Sequence, residues 1–295
     1  MDQAAHHGQE NRAALGGSRP IALTIAGFDP SSGAGISADL KVFAAHRVYG
    51  MACISALTVQ STLGVKRVEP VRAGQVRESL ECLFEDVVPD GVKMGMLATP
   101  EIVGEVSAFL STSRFPREKI VLDPVIRSSS GKELLSPGGV KRMVEELFPC
   151  VGWITPNLDE LAVLTQVGSV CREGIPEAAA RLREACPGLN VLATGGHLER
   201  PDDYLLLSSG ESFWVEGEWV RTNSTHGTGC ALSSALLCGL IAGKNPEDSV
   251  LAAKAWVTQA LREAYPVGRG RGPMNHLFSL ENQAGCASIS ARDSI

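Results

Sequence analysis

The run Thr225-His226-Gly227-Thr228-Gly229-Cys230 leads directly into an apolar, helix-forming stretch, Ala231–Leu237. Glycines at a helix start let successive backbone N–H groups converge on an anion, and the helix dipole adds to their pull. Negative charge that builds on a phosphoryl group during transfer is what such a hole stabilises. The loop is not a P-loop, because no G-K-[ST] follows it. Cys230 falls in the first helical turn, where a thiol is expected to ionise more readily. A thiolate there could take the proton of an attacking hydroxyl as general base. The competing reading of Cys230 is a small core side chain. His226 and Cys230 also suggest a metal pair, but two ligands without a third make a poor zinc site.

An earlier glycine loop, GFDPSSGAGISA (Gly27–Ala38), contains the pattern G-x-G-x-x-A. In a dinucleotide-binding turn the first glycine follows strand one directly, and an acid ends strand two to hold the ribose. Here Phe28 to Ser32 intervene before Gly33, and the second apolar run ends in ALTVQ (Ala56–Gln60). The loop is therefore not assigned to NAD. Gly33 and Gly35 serve either a tight turn or direct ligand contact. Gln60 carries both a donor and an acceptor, which suits the edge of a heteroaromatic ring, although a solvated strand end is the commoner fate of an isolated glutamine.

Two further strand ends carry acids or amides in proline turns: Asp123-Pro124-Val125, and TPNLDE over Thr155–Glu160. Asp123, Asn157 and Glu160 could hold Mg²⁺ through waters, since that ion keeps much of its hydration shell. Helix capping by Asn157 is an equally good explanation, and the two can coexist.

These residues need a scaffold that sets strand ends side by side. Short apolar runs at Ile21–Ala26, Ala52–Val59, Val92–Met96, Ile120–Asp123, Trp153–Thr155 and Val191–Ala193 read as strands, several of them buried on both faces. Tyr204–Leu207 and Ser212–Val215, with Glu218–Arg221 beyond, read as an antiparallel meander. Ile36, Leu40, Phe43 and Ala44 share one helical face, with Ser31 or Ser32 as its cap. Asn245-Pro246-Glu247-Asp248 opens a helix expected to run to about Ala264. The alternation implies an α/β fold with a mostly parallel central sheet and helices on both faces, and ligands at the carboxyl ends of its strands.

The 295 residues suffice for one large domain, expected over 21–278, between a polar leader (1–20) and a ragged tail (279–295). A net charge of −6 and the lack of a basic stripe argue against nucleic acid. No stretch is apolar and long enough to span a bilayer, and the leader lacks the apolar core of a signal peptide. Eight scattered cysteines without a C-x-x-C pair fit reduced thiols in a cytoplasmic protein.

Seven motifs then stand in order: IAGFDPSSGAG (Ile25–Gly35), ALTVQ (Ala56–Gln60), VKMGML (Val92–Leu97), VLDPV (Val121–Val125), TPN (Thr155–Asn157), GGHL (Gly195–Leu198) and THGTGC (Thr225–Cys230). Together they resemble the hydroxymethylpyrimidine/phosphomethylpyrimidine kinases of thiamine biosynthesis, within the ribokinase-like superfamily. The resemblance runs from about Ile21 to His276. It implies a three-layer α/β/α fold, a homodimer, and two successive ATP-Mg²⁺ phosphorylations, of 4-amino-5-hydroxymethyl-2-methylpyrimidine and then of its monophosphate. Carried over by motif, Gln60 would bind the aminopyrimidine edge, with Gly27, Asp39, Met96 and Val125 lining the pocket. Gly227, Thr228, Gly229 and Cys230 would form the anion hole, with Cys230 as base. Thr194, Gly195 and Asn157 would lie on the ATP side, and Asp123 and Glu160 on the metal through water.

On this reading the first glycine loop shapes the substrate end and the second handles phosphate. Where the family reads V-K-G-G-H, this chain has Ala193-Thr194-Gly195-Gly196-His197, so Arg127 or Lys132 is the candidate for the missing positive charge. A pyridoxal kinase on the same scaffold is the close alternative. A non-catalytic pyrimidine-binding sensor is the alternative of a different class.

Overall fold

The structure is a computed structural model that describes residues 19–281 apart from residue 197; the leader, save its last two residues, and residues 282–295 of the tail lie outside the described residues, as does the histidine of GGHL. Among the described residues, nine strands form one sheet in the order β3-β2-β1-β4-β5-β6-β7-β8-β9. They are β1 (Ile21–Phe28), β2 (Tyr49–Ser61), β3 (Gly64–Pro70), β4 (Gly91–Met94), β5 (Ile120–Leu122), β6 (Trp153–Ile154), β7 (Asn190–Ala193), β8 (Asp203–Leu206) and β9 (Ser212–Val215). Pairing is parallel from β2 through β1 and β4 to β7, and antiparallel for β3 and for the β7-β8-β9 meander.

Helices cover both faces. Against one lie α1 (Gly35–Ala45), α7 (Thr228–Ile241) and α8 (Pro246–Arg262), through a core of Val42, Phe43, Leu236, Leu237 and Val257. Against the other lie α2 (Ala73–Asp86), α3 (Pro100–Ser113), α4 (Pro137–Arg142), α5 (Leu158–Thr165) and α6 (Ile175–Ala185), through Leu80, Val106, Leu161 and Leu182. Alternate residues of β1 serve the two cores, with Ala22 on one side and Leu23 and Ile25 on the other, because successive strand side chains point to opposite faces. This is the three-layer α/β/α arrangement with a mostly parallel sheet. From β1 the chain first moves outward to β2 and β3, then returns to β4 on the other side of β1. A crevice therefore opens at the carboxyl ends of β1 and β4, where ligands bind in open α/β sheets.

Four readings of the sequence change. Glu218–Arg221 is irregular rather than a strand, with the Trp219 indole N–H on the Glu199 carbonyl. β3 escapes the apolar pattern because Lys66, Arg67 and Glu69 lie on an edge strand that needs no buried face. The eighth helix stops at Arg262. Neither Ser31 nor Ser32 caps α1, which has no side-chain cap among the described residues; the Asp29 carboxylate instead holds the loop before it by accepting the Gly33 and Ala34 N–H groups.

One irregularity positions the site. In β2 the register against β1 jumps from Ala26↔Ile54 to Gly27↔Ala56, so Ser55 is an extra residue. Such a bulge reverses which side chains face which way. Before it Ala52 and Ile54 are exposed; after it Leu57 and Val59 are, while Thr58 and Gln60 turn toward the crevice.

Candidate active site

The crevice gathers the ends of β1, β2, β4, β5 and β6 under the first turn of α7. Gly227 adopts φ +82°, and a Cβ there would collide with the Gly33 carbonyl, so the two glycine loops are in direct backbone contact. Only glycine permits both the left-handed conformation and that approach. Among the described residues no side chain caps α7, whose first-turn backbone leads from Gly227 through Thr228 and Gly229 to Cys230. The Asp123 carboxylate lies below it, 3.8 Å from where a Gly229 Cβ would stand.

Beneath Cys230 is a buried polar hub that motif reading did not assign. Lys93, on β4, is fully buried and lies 3.0 Å from both carboxylate oxygens of Asp39 on α1. Thr24 of β1 donates to the same carboxylate at 2.6 Å, and Ser234 of α7 at 2.8 Å. Asp39 is thus no pocket-lining residue: it is wholly buried, and its four hydrogen bonds join β1, α1, β4 and α7. Burial alone would lower the Lys93 pKa, but Asp39, Cys230 and Asp123 outweigh it and raise it. The signal for Lys93 was a lone lysine inside an otherwise apolar strand.

Cys230 does not have the eased ionisation expected at a helix start. The residue keeps some exposure, but its thiol faces the buried charges. Burial pushes the thiol up to about 12, Lys93 opposes the shift, and Asp123 and Asp39 add to it. The Gly35 backbone hydrogen-bonds the sulfur. The helix dipole is the weaker influence here.

Asn157 and Glu160 form a reciprocal capping box at α5: the Asn157 Oδ1 accepts the Glu160 N–H at 2.9 Å, and the Glu160 Oε2 accepts the Asn157 N–H at 2.9 Å. Burial and the nearby Asp123 charge push the Glu160 pKa up, and burial likewise raises that of Asp123. Two buried carboxyl groups of raised pKa would be relieved by a cation. Among the described residues, however, no group of three or more His, Cys, Asp or Glu is placed to hold a metal ion. Beside Asp123, the buried Thr155 hydroxyl just past the end of β6 has no hydrogen-bond partner among the described residues.

The Thr194 N–H donates to the Pro156 carbonyl at 2.8 Å, which ties the end of β7 to the TPN turn. The Gly195 N–H is taken by Asp203 at 2.9 Å, so it is not a donor for a nucleotide. Lys132 does not replace a cation at Thr194, and Arg127 is exposed. Arg127 pairs through its backbone with Glu133, and the Lys132 ammonium donates to the Lys66 carbonyl of β3. In sheet order β3 and β7 are six positions apart, about 29 Å at roughly 4.8 Å per strand.

At the other end of the crevice, Gly27 sits against the Met96 side chain, with half-buried Val125 one turn past Asp123. Gln60 reaches His226, its amide nitrogen 3.0 Å from the imidazole Nε2, and that same Nε2 lies 2.8 Å from the Asp29 Oδ2. Burial would raise the Asp29 pKa, but hydrogen bonds from His226 and Ser31 hold it below the usual carboxylate range. The motifs assign Asp29 no role, and they offer His226 only as half of a metal pair with Cys230.

A family model described as phosphomethylpyrimidine kinase matches residues 29–275. The chain is 41% identical over 264 residues to the hydroxymethylpyrimidine/phosphomethylpyrimidine kinase of Escherichia coli, covering 88% of this chain and 97% of that one. It is 37% identical to the thiamine biosynthesis bifunctional protein ThiED of Geobacter sulfurreducens over 90% of its own length, but spans only 54% of that longer protein. Among solved structures, an ADP complex of Bacillus subtilis pyridoxal kinase superposes with a TM-score of 0.81 at 31% identity, covering 90% of this chain and 99% of that one. The fold, the ordered motifs and these likenesses agree: the chain belongs to the phosphomethylpyrimidine kinase family.

Proposed function

We propose that the protein transfers the γ-phosphoryl group of ATP to 4-amino-5-hydroxymethyl-2-methylpyrimidine and then to its monophosphate, the kinase steps of thiamine biosynthesis. The observation that carries this reading is the uncapped first turn of α7, which has Asp123 beneath it and the first glycine loop with Gln60 beside it. On this assignment the Gln60 amide pairs with the aminopyrimidine edge, Gly27, Met96 and Val125 form the pocket wall, and the substrate hydroxyl points at Cys230. The Cys230 sulfur takes the hydroxyl proton as the new oxygen–phosphorus bond forms. The N–H groups of Gly227 to Cys230 hold the developing charge.

The residues present fit ATP with Mg²⁺. The unpartnered Thr155 hydroxyl and the crowded Asp123–Glu160 carboxyls lie where a cation and polyphosphate would relieve them. Asp123 would hold Mg²⁺ through water, with Glu160 behind it and Thr194 and Asn157 on the nucleotide side. Bound there, the cation would neutralise phosphate charge.

The exposed apolar residues Phe28, Ile54, Leu57 and Val59 on β1 and β2 support a homodimer. The seven described cysteines are all unpaired, which supports a cytoplasmic setting. No described helix is long and apolar enough to cross a membrane. Residues 21–278 are assigned as one kinase domain, because α7 and α8 share a core with the single sheet that precedes them. Sedimentation at micromolar concentration should give twice the chain mass; a monomer would remove the dimer assignment.

The deciding assay follows ADP release with the hydroxymethylpyrimidine, its monophosphate and pyridoxal in parallel, with products read by mass. A diphosphate from the pyrimidine is the expected outcome. Turnover of pyridoxal alone would favour the second reading, which the 0.81 superposition on a pyridoxal kinase supports. Tight pyrimidine binding without ADP release would leave the sensor reading.

A further inference from the structure

The extra residue of β2 does more than shift the strand's register. Ser55 is fully buried, and its carbonyl accepts the Val71 N–H at 2.9 Å, a backbone bond that leaves the side chain free for another partner. Its hydroxyl donates to the Met96 carbonyl oxygen at 2.5 Å. β2 and β4 each pair with β1 and not with each other, so this bond runs from β2 to the segment after β4 across the end of β1. Gly27 stands at that crossing. Its partner in β2 is Ala56, next to Ser55, and a Cβ on it would lie 2.3 Å from the Met96 Cε. The segment that carries Met96 is held on either side. The Gly95 N–H is taken by the Ile25 carbonyl at 3.0 Å, and the Thr99 N–H closes a three-residue turn on the Leu97 carbonyl at 2.8 Å. Ala98, inside that turn, has φ +65°, a conformation that costs a residue with a Cβ and persists only where its surroundings impose it. Between these two points the Ser55 hydroxyl fixes the Met96 carbonyl.

We infer that Ser55 is a positioning residue for the substrate pocket: its hydroxyl holds Met96 over Gly27 and so sets the wall against which the substrate ring packs. The inference rests on the placement of the pyrimidine at Met96 and Gly27 proposed above. With no exposed surface, Ser55 cannot touch a ligand, and it acts through Met96. The Met96 side chain is unbranched and adaptable, so its place depends on where its backbone is held. Removing the hydroxyl leaves a buried carbonyl without its donor, a costly arrangement that is relieved when the segment shifts. A wall contributes affinity only in van der Waals contact, and a gap of about 0.5–1 Å forfeits a quarter to a half of it. The bulge does not depend on the hydroxyl, because the bond from Val71 is made to backbone. Substitution at Ser55 therefore loosens the wall and leaves the direction of Gln60 alone.

The test is a double-mutant cycle on the full chain, read by calorimetric binding of the hydroxymethylpyrimidine and by steady-state rates. Ser55→Ala should weaken pyrimidine binding about tenfold and raise its KM to match, the sign of lost uniform binding. Both kcat and the KM for ATP should change less than about threefold. Met96→Ala should weaken binding at least as much, and the double variant no further than Met96→Ala alone, because Ser55 then has no wall to hold. Ser55→Thr keeps the donor and should bind within about threefold of the wild type. Ser55→Cys is nearly isosteric but a poor donor; it should follow alanine, and it completes the cycle if Ser55→Ala does not fold. Losses that add in the double variant overturn the inference. So does a Ser55→Ala protein that melts lower yet binds the pyrimidine as the wild type does, which is what a merely structural role produces. A wild type that binds pyridoxal and not the pyrimidine overturns the proposed function alone, and the same cycle on pyridoxal then decides the role of Ser55. A wild type that binds neither ring overturns both, before any variant is made.

Discussion

Replacing Cys230 by alanine should lower kcat by about 10²- to 10⁴-fold, the usual worth of a positioned general base, while the dissociation constant for the pyrimidine changes less than about threefold. The direction of the pH dependence follows from the site. The thiol is raised to about 12 by burial, with Asp123 and Asp39 adding to the shift and Lys93 opposing it. Below that value the thiol holds its proton, so thiolate is scarce at neutral pH. A base that is scarce at pH 7 and more abundant at higher pH predicts kcat rising with pH, by up to about tenfold per unit between pH 7 and 9. Cys230→Asp puts a more acidic group in the same place, and its activity should be smaller but nearly flat over that range. Steady-state rates of Cys230→Ala, Cys230→Asp and wild type, measured at saturating ATP from pH 6 to 9, decide the matter. An alanine variant retaining a third or more of wild-type kcat would show that the proton leaves by another route, and a flat wild-type profile would separate the thiol from the rate-limiting step.

The Cys230 result also shows where sequence reading reaches and where it stops. THGTGC announces an anion hole because the chemistry is in the backbone, and backbone geometry at a glycine-opened helix is local. The acidity of Cys230 is not local: it depends on Lys93, Asp39 and Asp123, contributed by β4, α1 and the end of β5. The strands and a mostly parallel sheet with helices on both faces were legible because apolar runs buried on both faces leave a strong pattern. β3 was not, because a polar edge strand leaves none. The extra residue Ser55 in β2 was equally silent, yet it turns Thr58 and Gln60 toward the crevice. Asp39 illustrates the opposite error. A motif places it near the pocket in sequence, but its four hydrogen bonds keep it beneath the site.

Lys93→Met should destabilise the protein by about 3–5 kcal/mol, the usual cost of leaving one partner of a buried ion pair without the other. In a chain of this size that corresponds to a melting temperature lower by roughly 10 °C. The pair merits this magnitude because both side chains are fully buried and the Asp39 carboxylate has no solvent to turn to. Lys93 has a raised folded pKa, so its contribution is fully present below the unfolded lysine pKa and is lost only as pH climbs through the folded one. The loss in Lys93→Met should therefore be nearly constant from pH 6 to 9. Adding Asp39→Asn to Lys93→Met removes the stranded charge while keeping one acceptor oxygen for the Thr24 and Ser234 hydroxyls, and should recover about half of the loss. Thermal melts of the two single variants and the double variant close the cycle. Strict additivity would mean that Lys93 and Asp39 do not act as a pair. Strong coupling would establish the hub as the element that anchors the glycine-bearing ends of α1 and α7 together, because Asp39 lies about one turn and Ser234 nearly two turns into their helices. The same coupling should reach the chemistry. With Lys93 gone, the charge that opposes the raised thiol pKa is gone too, so the rise of kcat with pH should move to higher pH in Lys93→Met and return toward the wild-type position in the double variant.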